Sequence, residues 1–367
     1  MAIPACSDCH VAPPSLAMTD RSLQSRWNAV PIGFASCRRR PCPDGHLFAP
    51  FSAPAPAYPG LSFLRGTTKG RWMKAIDTDP TFLRQLGETT AHAYDQAITH
   101  IEAEKKGVIP ELMETLTENG PYGYTITPQV LPDGGVNLPV ISTSEDIEGA
   151  YKMIRGASDL LAVNPLTEIR GTWYTFQDGI SYGQRKGTDQ RGANETLGLF
   201  PSATGKGITG ELVWVRVPRS VLGGGDPPTG APTDEMHLRE QVFQQHDRFL
   251  QALLLADLDG VLGTIHDRAA SAVRDYVEDT GTLTSLAGEE AHADYYRAFF
   301  DKFEVVSVEP LYRAAEDWYV FAEVRVTANV KRGSEAGRSV AFHTAEFHVP
   351  ANDGRFIARI GHGTDLA

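Results

Sequence analysis

The chain of 367 residues has no run that approaches eighteen consecutive apolar residues, so it predicts no transmembrane helix. Its N-terminus also lacks the charged segment followed by an apolar segment that marks a secretory signal. Positive charge is scarce as well, since 34 Lys and Arg against 46 Asp and Glu give a formal net charge of -12. Without a basic field, nucleic acid and anionic membrane surfaces are disfavoured as partners. We therefore expect a soluble, non-exported protein of the cytoplasm that binds a small molecule or another protein.

The signatures of nucleotide and metal chemistry are also missing. No G-x-x-x-x-G-K-S/T or H-E-x-x-H motif occurs, and Gly205-Lys206 lacks the upstream glycine that a phosphate loop requires. The scattered histidines show no ligand spacing beyond His343 and His348, which alternate onto opposite faces of one predicted strand. The sequence thus predicts no nucleotide, no metal and no other cofactor.

Cysteine is confined to the first 42 residues, at Cys6, Cys9, Cys37 and Cys42. The C-x-x-C-H string that ends at His10 matches covalent haem attachment, and the four thiols also allow a zinc knuckle. Haem attachment of this type needs export, however, and the C-x4-C spacing of the second pair is irregular for zinc. The composition favours a third interpretation, in which residues 1–72 are a disordered leader, or sequence upstream of a true start at Met73.

What the sequence does contain is an internal repeat. Six residues recur without a gap 145 positions later: Val163, Pro165, Leu166, Trp173, Tyr174 and Phe176 become Val308, Pro310, Leu311, Trp318, Tyr319 and Phe321. Tyr151 and Tyr296 keep the same offset. The repeat predicts two related domains, at 79–218 and 234–367, joined by a Gly- and Pro-rich linker at 219–233.

Each repeat shows helical patterns first and strand patterns afterwards, which favours an α+β fold. In the first repeat we predict helices at 81–105, 109–116 and 144–161, a hairpin around Pro132-Asp133-Gly134-Gly135, strands at 168–184 and 211–217, and a Gly-rich loop at 187–210. In the second we predict helices at 235–255, 258–265 and 289–303, and strands at 272–278, 304–313, 318–330, 339–349 and 355–361.

Five short segments of the second repeat carry a resemblance to a known family. They are Ala252-Leu253 with Ala256-Asp257-Leu258-Asp259-Gly260, Val273-Arg274-Asp275-Tyr276-Val277, Gly288-Glu289, Trp318-Tyr319-Val320-Phe321 and Asp353-Gly354-Arg355-Phe356-Ile357. With these segments the chain resembles the SnoaL-like branch of the nuclear transport factor 2 superfamily, well over 235–367 and more weakly over 79–218. The resemblance implies two cone-like domains, each a curved antiparallel sheet wrapped around about three helices with a pocket inside.

The resemblance implies two functions of different classes. One is a cofactor-free dehydratase, isomerase, cyclase or hydrolase that acts on a hydrophobic cyclic metabolite, such as a polyketide or steroid, by acid–base catalysis. The other is a non-catalytic ligand-binding or assembly protein whose two cones form a pseudo-dimer within the chain, with a homo-oligomer as an extension. The fold alone does not choose between them.

Candidate site residues come from the strands of the second repeat. We predict Asp275 and His343 as the catalytic acid and base. The predicted binding residues are Tyr276, Tyr295, Tyr319, Glu323, Arg325, Glu346 and His362.

Strand alternation sorts these candidates into faces, although the sequence does not say which face lines a pocket. Tyr319, Phe321, Glu323 and Arg325 share one face, and Val320, Ala322, Val324 and Val326 share the other. If the valine face lines the core, Glu323 and Arg325 lie on an outer or subunit-contact face, and His343 is expected on the core side. In the first repeat Asp178 matches Glu323 but precedes Gly179 as in a turn, so we expect a degenerate pocket there.

Overall fold

Two sets of helices and strands, one from each repeat, make up this computed structural model. It describes residues 80–126, 128–202, 205–224 and 235–367. The predicted leader 1–72 lies outside the described residues, as does the predicted linker beyond residue 224.

The first half contains three helices and seven strands. These are α1 (Pro80–Lys106), α2 (Ile109–Met113), β1 (Gly123–Thr125), β2 (Gln129–Val130), β3 (Val136–Asn137), α3 (Ser144–Ala157), β4 (Ser158–Arg170), β5 (Tyr174–Arg185), β6 (Arg191–Pro201) and β7 (Gly210–Val215). Helix α1 buries one stripe that includes Ala93, Ala97 and Ile101, at the spacing of a single helix face. Helix α3 begins where the Thr143 hydroxyl accepts a hydrogen bond from the Asp146 amide at 3.2 Å.

The second half repeats this order. It contains α4 (Glu235–Leu254), α5 (Leu258–Thr264), β8 (Ile265–Arg274), β9 (Leu283–Ala287), α6 (Gly288–Lys302), β10 (Phe303–Ala315), β11 (Val320–Val330), β12 (Ser339–Pro350) and β13 (Phe356–Gly363). Helix α5 is capped by Asp257, whose carboxylate accepts from the Gly260 amide at 2.9 Å.

The strands form two large sheets, one in each half. Their orders are β1-β7-β6-β5-β4 and β9-β8-β13-β12-β11-β10, and β2 pairs with β3 as a separate hairpin. The fold is therefore α+β with two separate curved sheets, as predicted. One detail differs from the prediction of purely antiparallel sheets, because β1 pairs with β7 and β8 pairs with β13 in parallel.

The repeat in the sequence is also a repeat in strand register. Strand β4 pairs with β5 from Ser158↔Arg185 onward, and β10 pairs with β11 from Phe303↔Val330 onward, so both strands are displaced by 145 residues. Each pair has two register shifts, and these also keep the offset: Leu160/Ala162 and Pro165/Thr167 correspond to Val305/Ser307 and Pro310/Tyr312. Such irregularities persist only where the surrounding packing requires them.

Each large sheet has one face on its own helices and one face on the other sheet. On β11, Val320, Ala322, Val324 and Val326 join the core beneath α4 and α6. Tyr319 and Phe321, on the other face, join a core that also includes Tyr174 and Phe176 of β5. The valine face is thus the helix-covered one, and the repeated aromatic motif lies between the sheets.

Contacts between the sheets are reciprocal under the offset of 145. Tyr174 packs on Phe321 with ring centroids 5.7 Å apart, and Tyr319 packs on Phe176 at 5.8 Å. The Tyr174 hydroxyl donates to Glu323 at 2.9 Å, and the Tyr319 hydroxyl donates to its counterpart Asp178 at 3.1 Å. The same patch on each half therefore contacts the other, which is the pattern of a two-fold interface.

These two hydrogen bonds give a prediction. Tyr319→Phe should lower the free energy of unfolding by about 1–3 kcal/mol, because it removes a donor from the buried Asp178 carboxylate. Tyr174→Phe should cost less, since Glu323 also accepts from His343 and is partly open to water. Urea unfolding of both variants measures the difference, and a larger loss in Tyr174→Phe would contradict this interpretation.

Several predicted elements differ from those observed. The predicted loop at 187–210 contains strand β6, whose glycines do not interrupt its pairing with β5. The predicted strand at 168–184 is two strands, β4 and β5, and helix α3 ends at Ala157 rather than Leu161. Strand β8 begins directly after α5, seven residues earlier than predicted. Among the described helices, none is both long and apolar enough to span a membrane.

Candidate functional site

A buried polar cluster lies inside the first half, between α1, α2, α3 and β7. His100 of α1 is fully buried, and its Nδ1 lies 2.6 Å from the Thr115 hydroxyl oxygen. That hydroxyl donates its own hydrogen to the Leu112 carbonyl at 2.6 Å, so its oxygen accepts from His100 Nδ1. Thr115 thus keeps a proton on Nδ1 and directs Nε2 toward the cluster.

On the Nε2 side, His100 meets a tyrosine and a carboxylate. The Tyr151 hydroxyl lies 3.0 Å from Nε2 and 2.5 Å from Oε2 of Glu211, and Nε2 lies 3.3 Å from the same carboxylate oxygen. Burial and the charge of Glu211 raise the pKa of the Tyr151 phenol well above its usual value. Tyr151 therefore remains a neutral hydrogen-bond donor at physiological pH.

The fourth and fifth members of the cluster are Glu104 and Arg155. They form an ion pair, and the side chains are about nine-tenths buried. Burial and the nearby charge of Glu211 raise the pKa of Glu104 to about 7, against the opposing effects of Arg155 and His100. A buried carboxyl with a pKa near 7 is suited to accept and return a proton.

Helix geometry explains how the sequence brings these groups together. His100 and Glu104 are four residues apart on α1, and Tyr151 and Arg155 are four residues apart on α3, so each pair shares one helix face. Both pairs lie on the buried stripe of their helix, and Glu211 reaches them from β7. The sequence prediction placed no site residue here and expected a degenerate pocket.

The same cluster supplies the ligand atoms that a divalent cation would use. In the described part of the chain, one group of three such side chains has all its ligand atoms within 4.8 Å of one another: His100, Glu104 and Glu211. These atoms are already engaged with Tyr151 and Arg155, and the Arg155 guanidinium supplies the positive charge that an ion would bring. The donor set therefore fits a proton network better than a metal centre.

Equivalent positions in the second half carry different chemistry. Thr115 and Thr264 each donate to the carbonyl three residues earlier, which sets an offset of 149 for the first two helices. At that offset His100 corresponds to Phe249, which packs on Tyr296 as His100 packs on Tyr151. At the offset of 149, Glu104 corresponds to Leu253. At the offset of 145, Arg155 corresponds to Phe300. Strand pairing aligns Glu211 with Arg359. The acid–base set is therefore particular to the first half.

The interior of the second half contains a small cavity of about 30 Å³. Aromatic and aliphatic residues form most of its wall, among them Phe249, Val324 and Phe342. Beside it Arg359 donates twice to Glu346, at 2.7 and 3.0 Å, and once to the Tyr296 hydroxyl. His348 donates to the other oxygen of Glu346 at 3.1 Å. These charges are satisfied by one another.

The two predicted catalytic residues lie apart. The Asp275 carboxylate accepts from the backbone amides of Val277 and Glu278 at 2.8 and 3.0 Å, so it caps the turn after β8. His343 lies on the face of β12 that meets the other sheet, opposite to the core side on which it was expected, and its Nδ1 is 3.4 Å from Glu323. Their catalytic roles stay predictions.

The predicted binding residues fall into two groups. Tyr319 and Glu323 lie between the sheets with His343, and Arg325 is exposed on the same strand face. The remaining four line the second-half cavity: Tyr276, Tyr295, Glu346 and His362. The alternation argument placed Tyr319, Glu323 and Arg325 on one face of the sheet, as the structure has them, but it could not say whether that face lines a pocket.

The Glu346 pair gives a prediction about pH. Burial would raise the pKa of Glu346, but the charge of Arg359 and the hydrogen bond from His348 outweigh it and lower that pKa well below its usual value of 4.5. A lowered carboxyl pKa stabilises the folded state above the unfolded pKa, and this contribution is lost as the pH falls. Urea unfolding between about pH 6 and pH 3 should therefore show a falling free energy of unfolding that is flatter in Glu346→Gln.

The control for this prediction is Glu335→Gln, which alters an exposed ion pair with Arg338. It should keep the wild-type slope. Glu346→Gln should also be less stable at pH 7, because it leaves Arg359 buried without its anion. Equal acid slopes in wild type and Glu346→Gln would contradict the assignment.

Known proteins match parts of this chain at low identity. No family model and no curated protein sequence matches the chain. Solved structures do match, among them a proposed isomerase from Bacillus subtilis, with 18% identity and a TM-score of 0.30 over 35% of this chain and 88% of that one. An LEH-like epoxide hydrolase from M. tuberculosis has 16% identity and a TM-score of 0.29 over 34% and 84%. A proposed polyketide cyclase from Xanthomonas campestris pv. campestris has 15% identity and 0.29 over 34% and 91%.

These neighbours are SnoaL-like and nuclear transport factor 2-like proteins, the family that the sequence resembles. Each matches about a third of the chain and has fewer than one residue in five identical. The likeness concerns the fold, and the assignment of function has to come from the geometry of this chain.

Proposed function

We propose that this protein is a cofactor-free acid–base enzyme, of the lyase, isomerase or hydrolase type, that acts on a small and largely apolar ring compound. The observation that carries the proposal is Glu104, a buried carboxyl with a pKa raised to about 7, held by Arg155 beside the His100–Tyr151–Glu211 network. The first half would then be the catalytic one, in contrast to the expectation of a degenerate pocket.

Each member of the cluster has a role in this proposal. Glu104 removes a proton from an acidic carbon or from a water molecule, and returns it to the product. Arg155 and the neutral Tyr151 hydroxyl stabilise the negative charge that develops on the substrate oxygen. His100, with its Nδ1 proton fixed by Thr115, presents Nε2 as an acceptor to the Tyr151 hydroxyl, which also donates to Glu211, and so keeps the network oriented.

The surroundings of the cluster support an apolar substrate. The core of the first half around it includes Leu112, Leu116, Ile126, Ile141, Ile147 and Phe200. These side chains carry no charge, so they favour ring or hydrocarbon surface over a polar chain. Electrostatic interactions within it are stronger than in water, which increases the effect of the few polar groups present.

The architecture is part of the proposal. We assign the halves as two domains, 79–218 and 234–367, that pair within the chain as a pseudo-dimer. The reciprocal contacts of Tyr174 with Phe321 and of Tyr319 with Phe176 support this pairing. The second domain then supports the first, as one subunit of a dimer supports another.

The test is an activity assay on the full chain with three model compounds. A β,γ-unsaturated cyclic ketone reports isomerisation, a cyclic epoxide reports hydrolysis, and a cyclic β-hydroxy ketone reports dehydration. We expect turnover of at least one compound, lost in Glu104→Gln and kept in Glu323→Gln, which alters a carboxylate between the sheets. No turnover of any compound, or equal turnover in both variants, would refute the proposal.

A second candidate function is a non-catalytic ligand-binding or assembly protein. The observation in its favour is the second half, where Glu346, Arg359 and His348 satisfy one another beside a cavity too small for a ring compound. If the first half is also non-catalytic, Glu104→Gln should bind all three compounds as the wild type does, and there should be no turnover for the substitution to abolish. The same assay therefore separates the two functions.

A further inference from the structure

We propose that a buried pair of histidines, His246 and His348, makes the attachment of helix α4 to the second sheet sensitive to acid. His246 belongs to α4 and His348 to β12, and neither residue is exposed to solvent. Their rings meet edge to face, with centroids 5.1 Å apart and planes at 80°. Because the rings come from different elements, they are part of the contact that holds the helix on the sheet. The pair lies outside the cluster of the proposed function and does not depend on it.

The surroundings of the pair accept only neutral rings. Among the described residues, neither nitrogen of His246 has a hydrogen-bond partner, and Nδ1 of His348 has none. Nε2 of His348 lies 3.1 Å from a carboxylate oxygen of Glu346, whose charge is already paired with Arg359. A protonated imidazole carries two N–H donors and a positive charge, and burying these without an acceptor is unfavourable. Protonation is therefore incompatible with the closed contact.

The charged groups around the pair act in the same direction. Facing it are Glu346 of β12, Arg313 of β10 and Arg359 of β13, and each ring also faces the other. Burial, and then the neighbouring His348 ring, lower the pKa of His246 well below its usual value of 6.5, against the attraction of Glu346. Burial also lowers the pKa of His348, against its hydrogen bond to Glu346.

The first half has apolar side chains at the matching positions. At the offset of 149 between the first two helices, His246 corresponds to Ala97. The strand registers relate β12 to β6 by an offset of 148, at which His348 corresponds to Phe200. Ala97 and Phe200 are both buried. Packing at this place therefore does not require imidazoles, and the pair gives one half alone the ability to respond to protons.

Helix α4 can leave the sheet while the contact between the halves stays closed. The apolar residues that α4 buries belong to the core beneath the helices of the second half, namely Val242, Phe249, Leu250 and Leu253. The contact between the two sheets is a separate core on the opposite face. Two ion pairs from α4 to β10 and the turn after it are partly exposed and so contribute little: Asp247 with Arg313, and Arg239 with Glu316. Local opening of this kind costs less than global unfolding.

The direction of the pH effect follows from which form takes up protons. Above an imidazole pKa of about 6.5, the rings are neutral whether the helix is attached or detached, so pH has no effect. Below it, a detached and hydrated ring takes up a proton, whereas a buried ring does so only at its lowered pKa. Each ring should therefore make detachment about tenfold more favourable for every pH unit below 6.5.

The experiment is hydrogen–deuterium exchange of the full chain at about pH 7.5 and about pH 5.5, corrected for the intrinsic pH dependence of amide exchange. Protection of α4 should fall by about 100-fold between these values, tenfold for each ring, while protection of α1 stays unchanged. In His246→Leu the fall in α4 should be only about tenfold. The matched control is His92→Leu on the counterpart helix α1, where the ring bonds to the Gly205 carbonyl. It should respond as the wild type does.

Two further measurements make the outcome independent of the fold of one variant. His348→Phe introduces the residue that the first half has at this position, and it should also reduce the fall in α4 to about tenfold. NMR of the His246 imidazole in the wild type should show a neutral ring in the attached form at pH 6.

The opposite results would overturn the inference. They are equal protection of α4 at both pH values, an equal fall in α1 and α4, the wild-type fall in His246→Leu, or a His246 imidazole that titrates at its usual pKa in the folded chain. Glu104→Gln should keep the acid response of α4, so failure of this inference and failure of the proposed activity are distinguishable.

Discussion

Replacing Glu104 with Gln should lower kcat/KM by roughly 10²- to 10⁴-fold on any ring compound that the wild type converts, the range of general acid–base catalysis. The carboxyl is the proton acceptor, and its pKa of about 7 makes the ionised fraction change across neutral pH. The wild-type kcat/KM should therefore rise as the pH increases toward about 7 and then level off. Steady-state kinetics across this range measure both effects.

The matched control is Glu323→Gln, because it removes a half-buried carboxylate that accepts from Tyr174 and lies between the sheets, away from Glu104. It should retain wild-type kcat/KM and the wild-type pH profile. Chelator treatment of the wild type should also leave kcat/KM unchanged, since Arg155 already neutralises Glu104. A Glu104→Gln variant with full activity would contradict the proposed base. Activity that is lost with chelator and restored by a divalent cation would contradict the proton network.

Thr115 offers a second readout on the same site, through the tautomer of His100. The Thr115 hydroxyl donates its own hydrogen to the Leu112 carbonyl, so toward Nδ1 of His100 it acts as an acceptor. Without Thr115 the His100 ring would lose this orientation, and the pH profile of kcat/KM would change as well as its size. A change in the pH profile distinguishes a positioning residue from a structural one.

The internal repeat made most of the fold predictable from the sequence. Repeated Trp, Tyr and Phe residues at one offset predicted two copies of one unit, and the strand register keeps that offset. The long helices followed from their apolar spacing. Strand β6 was missed because Gly192, Gly198 and their polar neighbours lack the alternation of a half-buried strand. Its pairing with β5 depends on tertiary contacts that a local pattern does not record.

The candidate site was missed for a related reason. The aromatic motifs of the two copies are related by an offset of 145, whereas the first two helices are related by an offset of 149. The offset of 145 therefore does not align His100 and Glu104 with Phe249 and Leu253. A signal was nevertheless present. Two pairs of polar residues at i and i+4, His100 with Glu104 and Tyr151 with Arg155, lie on faces that otherwise carry apolar residues.

The face of His343 shows what alternation alone cannot decide. It lies directly opposite Arg325 in the antiparallel pair of β12 and β11, and directly opposed residues share a face of the sheet. Alternation within one strand groups residues by face, but which face meets the helices depends on the packing of the whole sheet, and a shift of one residue in register would exchange the faces. Some of the side chains predicted as catalytic and binding groups therefore lie together at the interface between the sheets, and the others lie elsewhere.

The second large effect is expected at the centre of that interface. Phe176 and Phe321, related by the offset of 145, are both fully buried and stack with ring centroids 4.2 Å apart. Phe176→Ala and Phe321→Ala should each lower the free energy of unfolding by about 3–5 kcal/mol, the usual cost of removing a buried phenyl ring. Urea or guanidinium unfolding of the full chain measures these losses. The exposed Leu255, directly after α4, gives the control, since Leu255→Ala should stay within about 0.5 kcal/mol.

The double variant carries the sharper test, because the two rings contact each other. The loss in Phe176→Ala with Phe321→Ala should be smaller than the sum of the single losses by about 0.5–1.5 kcal/mol, the value of an aromatic pair. Since β5 and β11 both supply the shared core, each single variant should shift one common unfolding transition. Two transitions, of which only one moves when Phe321 is replaced, would mean that the halves fold independently. That outcome would remove the physical basis for treating them as a pseudo-dimer.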